Sequence, residues 1–229
     1  MTKIFRNSYI AIVLSLILSI FSFSAFAKGK LTLYCSVEID VCEMLVQAFE
    51  KETGINVAMT RKSSGETFAQ IKAEGSNPKG DVWFGGTGDP HLTASQEGLT
   101  QEYKSIHFDD LLPAAQNQAI NGNYRTVGIY VGALGYGYNH ELIASKGLPA
   151  PKSWEDLTNP AYKGEIQVAN PNSSGTAYTT LATILQIFGE EKGWDYMKKL
   201  HQNINQYTKS GSAPIKATAR GENTIGICF

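Results

Sequence analysis

Residues 30 to 99 repeat one pattern three times, a short apolar run, then a small-residue turn, then a helical stretch, and no other feature of the sequence narrows the fold as far. KLTLY, from Lys30 to Tyr34, alternates polar and apolar residues as a half-buried strand does. In DVCEMLVQAFEKETG the residues Val41, Leu45, Ala48 and Phe49 recur on one helical face, and Gly54 stops the helix. Ile55 to Met59 is a second strand, after which Ser63, Ser64 and Gly65 open a helix carrying Phe68 and Ile71 and closed by Gly75 and Pro78. DVWFGGTGDPHLTASQEGL supplies a buried strand through Trp83 and Phe84, a glycine-rich turn, and a helix entered through Asp89-Pro90. Consecutive strand, turn and helix units provide the crossovers that parallel strands require, so the expected class is α/β, a parallel sheet with helices on its faces.

The pattern changes after Tyr124. TVGIYVGALGYGYN is extended, aromatic and punctuated by glycine, about twice the usual strand length, and reads either as a strand crossing between two lobes or as one core strand. A loop with a helical turn near Trp154 to Leu157 follows, then the strand GEIQVANP. In NPNSSGTAYTTLATILQIFG, the small residues Ser173, Ser174 and Gly175 precede Thr176 and a run in which Leu181, Ile184, Leu185 and Phe188 hold helical spacing. That is a helix start, whose unpaired N–H groups and positive dipole end suit either an anion or an ordinary serine cap. The helices EEKGWDYMKKLHQNI and SAPIKATARGE and the strand TIGICF complete the chain.

Ligands of open parallel sheets gather outside the carboxyl ends of the strands. Four turns are expected there: Ser36; Ser63, Ser64 and Gly65; Gly85, Gly86, Thr87 and Gly88, running into Asp89; and Ser173, Ser174, Gly175 and Thr176. All lack bulk, so backbone N–H groups and hydroxyls together suit an oxyanion held by neutral donors. Nucleotide fingerprints are absent, because GGTGDP lacks the G-x-G-x-x-G spacing and no G-x-x-x-x-G-K-[ST] sequence occurs. There is no G-x-S-x-G elbow, and His91, His107, His140 and His201 have no triad context, so no catalytic residue is assigned. A phosphate-ester enzyme would have to use Asp89 or Glu66 as its base.

The first 27 residues place Lys3 and Arg6 before an apolar run ending in Ala25-Phe26-Ala27, a signal peptide with cleavage near Ala27. Removing those two basic residues takes the net charge from −1 to about −3, with no basic patch, which excludes nucleic acid as a partner. In an oxidising compartment Cys35 and Cys42, seven positions apart, read as a short-loop disulfide, leaving Cys228 over. No cysteine has a histidine at zinc-finger spacing, and no metal or cofactor is expected.

Together, LTLYCS, GINVAMTRKSSGETFAQIKAE, DVWFGGTGDPHL, TVGIYVGALGYGYN, YKGEIQVANPNSSGTAYTTLAT and NQYTKSGSAPIKATARGE resemble the periplasmic solute-binding proteins of ABC importers. The resemblance is to the ferric-binding-protein-like branch, which includes hexose-phosphate and aminoethylphosphonate binders. It implies a periplasmic-binding-protein type II fold, two α/β lobes joined by crossing strands that close over ligand. On that basis residues 28–123 are the first lobe and 124–229 the crossing strand and second lobe. The resemblance places ligand oxygens against Ser36, Ser64-Gly65, Thr87-Gly88 and Ser173 to Thr176. It also implies a monomer that captures a small anionic solute in the periplasm and passes it to an inner-membrane permease. Its iron-binding members use adjacent tyrosines in a segment that would follow Phe229. No Tyr-Tyr pair occurs in this sequence, so a sugar phosphate or phosphonate is expected before Fe(III). Because the last residues, Gly226 to Phe229, lie within an apolar strand, the expectation includes a chain truncated at its C-terminus.

Overall fold

The computed structural model describes residues 29–229; the signal-peptide reading of residues 1–27 lies outside them. The first unit is the expected parallel sheet. Strands β1 (Lys30–Cys35), β2 (Asn56–Arg61) and β3 (Val82–Phe84) lie in the order β2-β1-β3, with Lys30 opposite Asn56 and Leu33 opposite Val82. Between and after them run α1 (Ile39–Thr53), α2 (Ser64–Glu74) and α3 (Gly88–Gln96). Gly54 ends α1 in the left-handed region at φ 71°, its N–H donating to the Glu50 carbonyl, a conformation that costs glycine nothing. The inward face of α1 differs from the periodicity reading: Cys42 is buried, whereas Val41 and Phe49 are 39% and 37% exposed. Helical spacing identified the helix but not which side turns inward, because α1 is apolar on more than one face.

After α4 (Pro113–Asn121), Asn123 and Tyr124 take positive φ values of 49° and 56°, and the chain runs extended to β4 (Gly135–Tyr138). The long strand read from TVGIYVGALGYGYN is therefore only four residues long. Residues 126–134 have no strand partner among the described residues, and Val131 is 78% exposed.

The second sheet has the order β4-β7-β5-β6, from β5 (Ile166–Ala169), β6 (Ile204–Thr208) and β7 (Ile225–Cys228). β4 runs antiparallel to β7 and the other pairs are parallel. Helices α5 (His140–Ser145), α6 (Gly175–Phe188), α7 (Glu190–Asn203) and α8 (Ala213–Ala219) complete this unit. All four β5 residues are buried. Ile166, Ile184, Leu200, Ile225 and Ile227 form one core with Leu157 and Tyr162, and truncating such a side chain costs about 2 to 5 kcal/mol. This packed core fixes the start of α6 relative to the sheet.

Candidate functional site

The four small-residue turns converge on one point between the two sheets. Ser36 follows β1, its N–H donating to the Phe84 carbonyl at 2.8 Å. Its hydroxyl pairs with Thr67 Oγ1 at 3.1 Å and accepts the Trp83 indole N–H at 2.9 Å. Ser63 precedes α2, and its N–H donates to the Glu66 carboxylate at 3.3 Å, half of a capping box. Ser64 is 4% exposed, and its hydroxyl accepts the Gly175 N–H at 3.2 Å.

Two glycines show how closely the turns meet. A Cβ on Gly175 would lie 2.0 Å from Thr87 Oγ1 and 2.4 Å from Ser64 Oγ. One on Gly86, whose φ is +90°, would lie 2.7 Å from the Ser64 Cβ and 3.2 Å from that of Ser36. Gly65 backs onto the Asn172 and Ser173 carbonyls, and the Glu66 N–H donates to the Ser173 carbonyl at 3.3 Å. The hydroxyl of Ser173 donates to the Lys209 carbonyl at 3.0 Å. Gly88 and Asp89 are turned elsewhere, with Gly88 against Gln118 of α4 and Asp89 exposed.

At the centre lies Thr87 Oγ1, buried and without a hydrogen-bond partner. Such a group is costly unless something satisfies it. Beside it stand Gly175, which opens α6, and the Ser64 hydroxyl that accepts the Gly175 N–H, while the Ser174 and Thr176 hydroxyls of the same turn face Gly211. These neutral groups lie at the positive end of a fourteen-residue helix, an arrangement whose chemistry suits an oxyanion. Of these groups the Gly175 N–H and the Ser64 hydroxyl are paired with each other, whereas Thr87 Oγ1 is paired with nothing. A shallow cavity of about 390 Å³ adjoins the cluster, lined by Gly65, Glu66, Asn172, Ser173, Tyr207 and Lys209.

Several residues that serve this site were not singled out from the sequence. Tyr130 straddles the Gly86 peptide, its hydroxyl accepting from the N–H at 2.8 Å and donating to the carbonyl at 2.9 Å. Burial pushes its phenol pKa up, so it stays protonated for both roles. His91 stacks on Trp83 with ring centroids 3.6 Å apart and contacts the Gly85 carbonyl at 2.8 Å. Burial lowers its pKa, against the opposing effect of that carbonyl. Gly211 presses onto Thr176 and Ser174, where a Cβ would sit 2.2 Å and 2.8 Å from their hydroxyls. Lys-Ser-Gly-Ser before Ala213-Pro214 carries the same helix-start signature as the chosen turns and was legible in sequence. The contacts of Tyr130 and His91 depend on tertiary convergence alone.

Cys35 and Cys42 form a disulfide, as their spacing suggested, and Cys228 is free. Among the described residues no three His, Cys, Asp or Glu side chains gather as a metal site.

The pattern of the bacterial extracellular solute-binding proteins matches residues 84–229. An uncharacterized protein of Haemophilus influenzae is 46% identical over 207 residues, covering 90% of this chain and 60% of that relative. The periplasmic binding protein AfuA of Actinobacillus pleuropneumoniae, solved with exogenous fructose-6-phosphate bound, is 46% identical with a TM-score of 0.85, over 89% of this chain and 64% of AfuA. An Fe(3+)-binding periplasmic protein of Serratia marcescens is 25% identical over 219 residues, or 94% of this chain and 61% of that relative. The chain thus spans about three fifths of the length of the relatives it matches.

Proposed function

The chain belongs to the bacterial extracellular solute-binding proteins, and on that premise we propose that it is the solute-capturing component of an ABC importer. Its fold is that of the type II periplasmic binding proteins. In this reading a leader over residues 1–27 sends the chain to the periplasm. Residues 28–123 and 124–229 act as two lobes that close on a small anion, and the closed monomer presents it to an inner-membrane permease.

The proposed ligand is a phosphorylated sugar or a phosphonate. The observation that carries this is the buried, unpartnered Thr87 hydroxyl facing the first turn of α6, among neutral donors. A phosphoryl group offers several acceptor oxygens to such donors, and each hydrogen bond to a charged partner contributes about 1.5 to 3 kcal/mol. The likeness to AfuA, solved with fructose-6-phosphate, supports the same class. We assign Ser36, Ser64, Gly65, Gly86, Thr87 and Ser173 to Thr176 to the cradle, and give Gly88 and Asp89 a lesser part. The likeness to an Fe(3+)-binding relative makes ferric ion the competing ligand. Of the two carboxylates an enzyme could use as its base, Glu66 is engaged with the Ser63 N–H and with Lys209, and Asp89 is exposed and turned away from the cluster, which favours capture over catalysis.

Differential scanning fluorimetry of the full-length protein against glucose 6-phosphate, fructose 6-phosphate, 2-aminoethylphosphonate, inorganic phosphate and Fe(III) tests this reading. A hexose phosphate or the phosphonate should give the largest upward shift. Stabilisation by Fe(III) with none from any phosphoryl compound would overturn it.

A further inference from the structure

One loop of the second unit, Lys209 to Ser212, and the helix it enters reach across to the first unit at several points. Lys209 Nζ lies 2.7 Å from Glu66 Oε1. The Ser63 hydroxyl donates to the Lys209 carbonyl at 3.4 Å, and Arg61 Nη2 donates to Ser210 Oγ at 3.5 Å. Further along, in α8, Lys216 pairs with Glu38. Burial alone would raise the Glu38 carboxyl, yet hydrogen bonds from Lys216 and Ser212 and the nearby charge of Arg61 hold it below its ordinary range.

These partners come from the turns that carry the candidate site. Glu38 stands two residues after Ser36, Arg61 ends β2, and Ser63 and Glu66 open α2 beside Ser64. On its other side the loop is pinned through Gly211 to Ser174 and Thr176 at the start of α6. It therefore touches both walls of the cradle. The polarity is consistent as well: in both ion pairs the first unit supplies the carboxylate and the second the ammonium. Lys209, Lys216 and one arm of Arg61 are engaged with partners in the other unit, and Lys62 with Gln70 of its own, so each of these neighbouring cations already has a protein partner.

We infer that the segment Lys209–Lys216 is the closure clasp of the cleft, Lys209 and Lys216 locking onto Glu66 and Glu38 as the two units meet. The inference rests on the reading of the protein as a closing binding protein. Exposed ion pairs are individually weak, each shifting an equilibrium about two- to fivefold. Two acting together should shift closure about tenfold, and salt should weaken them, since the screening length falls to about 3 Å at 1 M.

Small-angle X-ray scattering of the full-length, ligand-free protein reads the clasp without any ligand. At low ionic strength the wild type should be more compact than a Lys209→Gln/Lys216→Gln variant, and high salt should expand the wild type towards it. The variant should bind glucose 6-phosphate about tenfold more weakly. Its melting temperature reports whether it is folded. The charge swap Glu38→Lys/Lys216→Glu should stay compact where Glu38→Lys alone expands, and decides the matter if the double variant fails to fold. A wild type already as expanded as the variants, or variants as compact as the wild type, would overturn the clasp. Failure of every phosphoryl compound to bind would instead count against the ligand assignment and leave the scattering result to decide the clasp.

Discussion

Gly175 has no room for a side chain, because a Cβ would come within 2.4 Å of both Thr87 Oγ1 and Ser64 Oγ. Gly175→Ala should therefore abolish the ligand-induced thermal shift, and binding within twofold of wild type by calorimetry would remove this residue from the cradle. Thr87 gives a sharper separation. Its hydroxyl is buried without a partner and caps no helix N–H, so Thr87→Val gives up nothing in the ligand-free protein and relieves an unsatisfied group. The variant should melt at or above the wild-type temperature yet bind more weakly by about 1.5 to 3 kcal/mol, the value of one hydrogen bond to a charged ligand. Reduced stability with unchanged affinity would contradict that role. Small hydroxyl residues before a helix are readable from sequence because helix-start chemistry is local, and that is how Ser64, Thr87 and Gly175 were found. Tyr130 was not, since nothing in GIYVGAL shows that its phenol will seat on a glycine peptide 44 positions away.

The elements were legible where a repeat period and an end signal coincided. Strand, turn and helix alternation from Lys30 to Gln96 met both conditions, and so did α6, framed by Ser174 and by Gly189 at φ 79°. The stretch before β4 met only the first: extended backbone has the same composition with or without a partner, and pairing is decided by another segment. Short links tie the elements once formed. At the head of β5, Glu165 takes Lys146 at 2.6 Å and the Thr224 hydroxyl, joining α5, β5 and β7. Burial works to raise the Glu165 carboxyl, but hydrogen bonds from Lys146 and Thr224 hold it below its ordinary value of 4.5. A depressed carboxylate lends stability above its unfolded-state pKa and loses it as pH falls through the folded-state value. Melting temperature should thus fall less steeply below the ordinary carboxylate range in Glu165→Gln than in wild type; parallel curves would rule this contribution out. In the first unit the Cys35–Cys42 bridge ties the end of β1 to α1 directly beside Ser36. So short a loop is worth about 2 to 3 kcal/mol. Denatured protein without reductant should show one reactive thiol, Cys228, rising to three after reduction; three at the outset would disprove the bridge.

Across the whole molecule the two sheets are built on different plans. Among the described residues the first draws its three strands from the stretch up to Phe84, with β1 at the centre between β2 and β3. In the second, β7 lies between β4 and β5, so of its four described strands the one latest in the sequence is an interior one. β4 must wait some 90 residues for its partner, and the face on which α6 packs stays incomplete meanwhile. As the chain emerges from its N-terminus, the turns carrying Ser36, Ser64 and Thr87 can therefore assemble while the turn carrying Gly175 is still unformed. The order of the strands becomes a timetable: the first sheet is set before the second exists, and the apolar faces of β5 and α6 need shelter from neighbouring chains until the residues around Ile225 arrive.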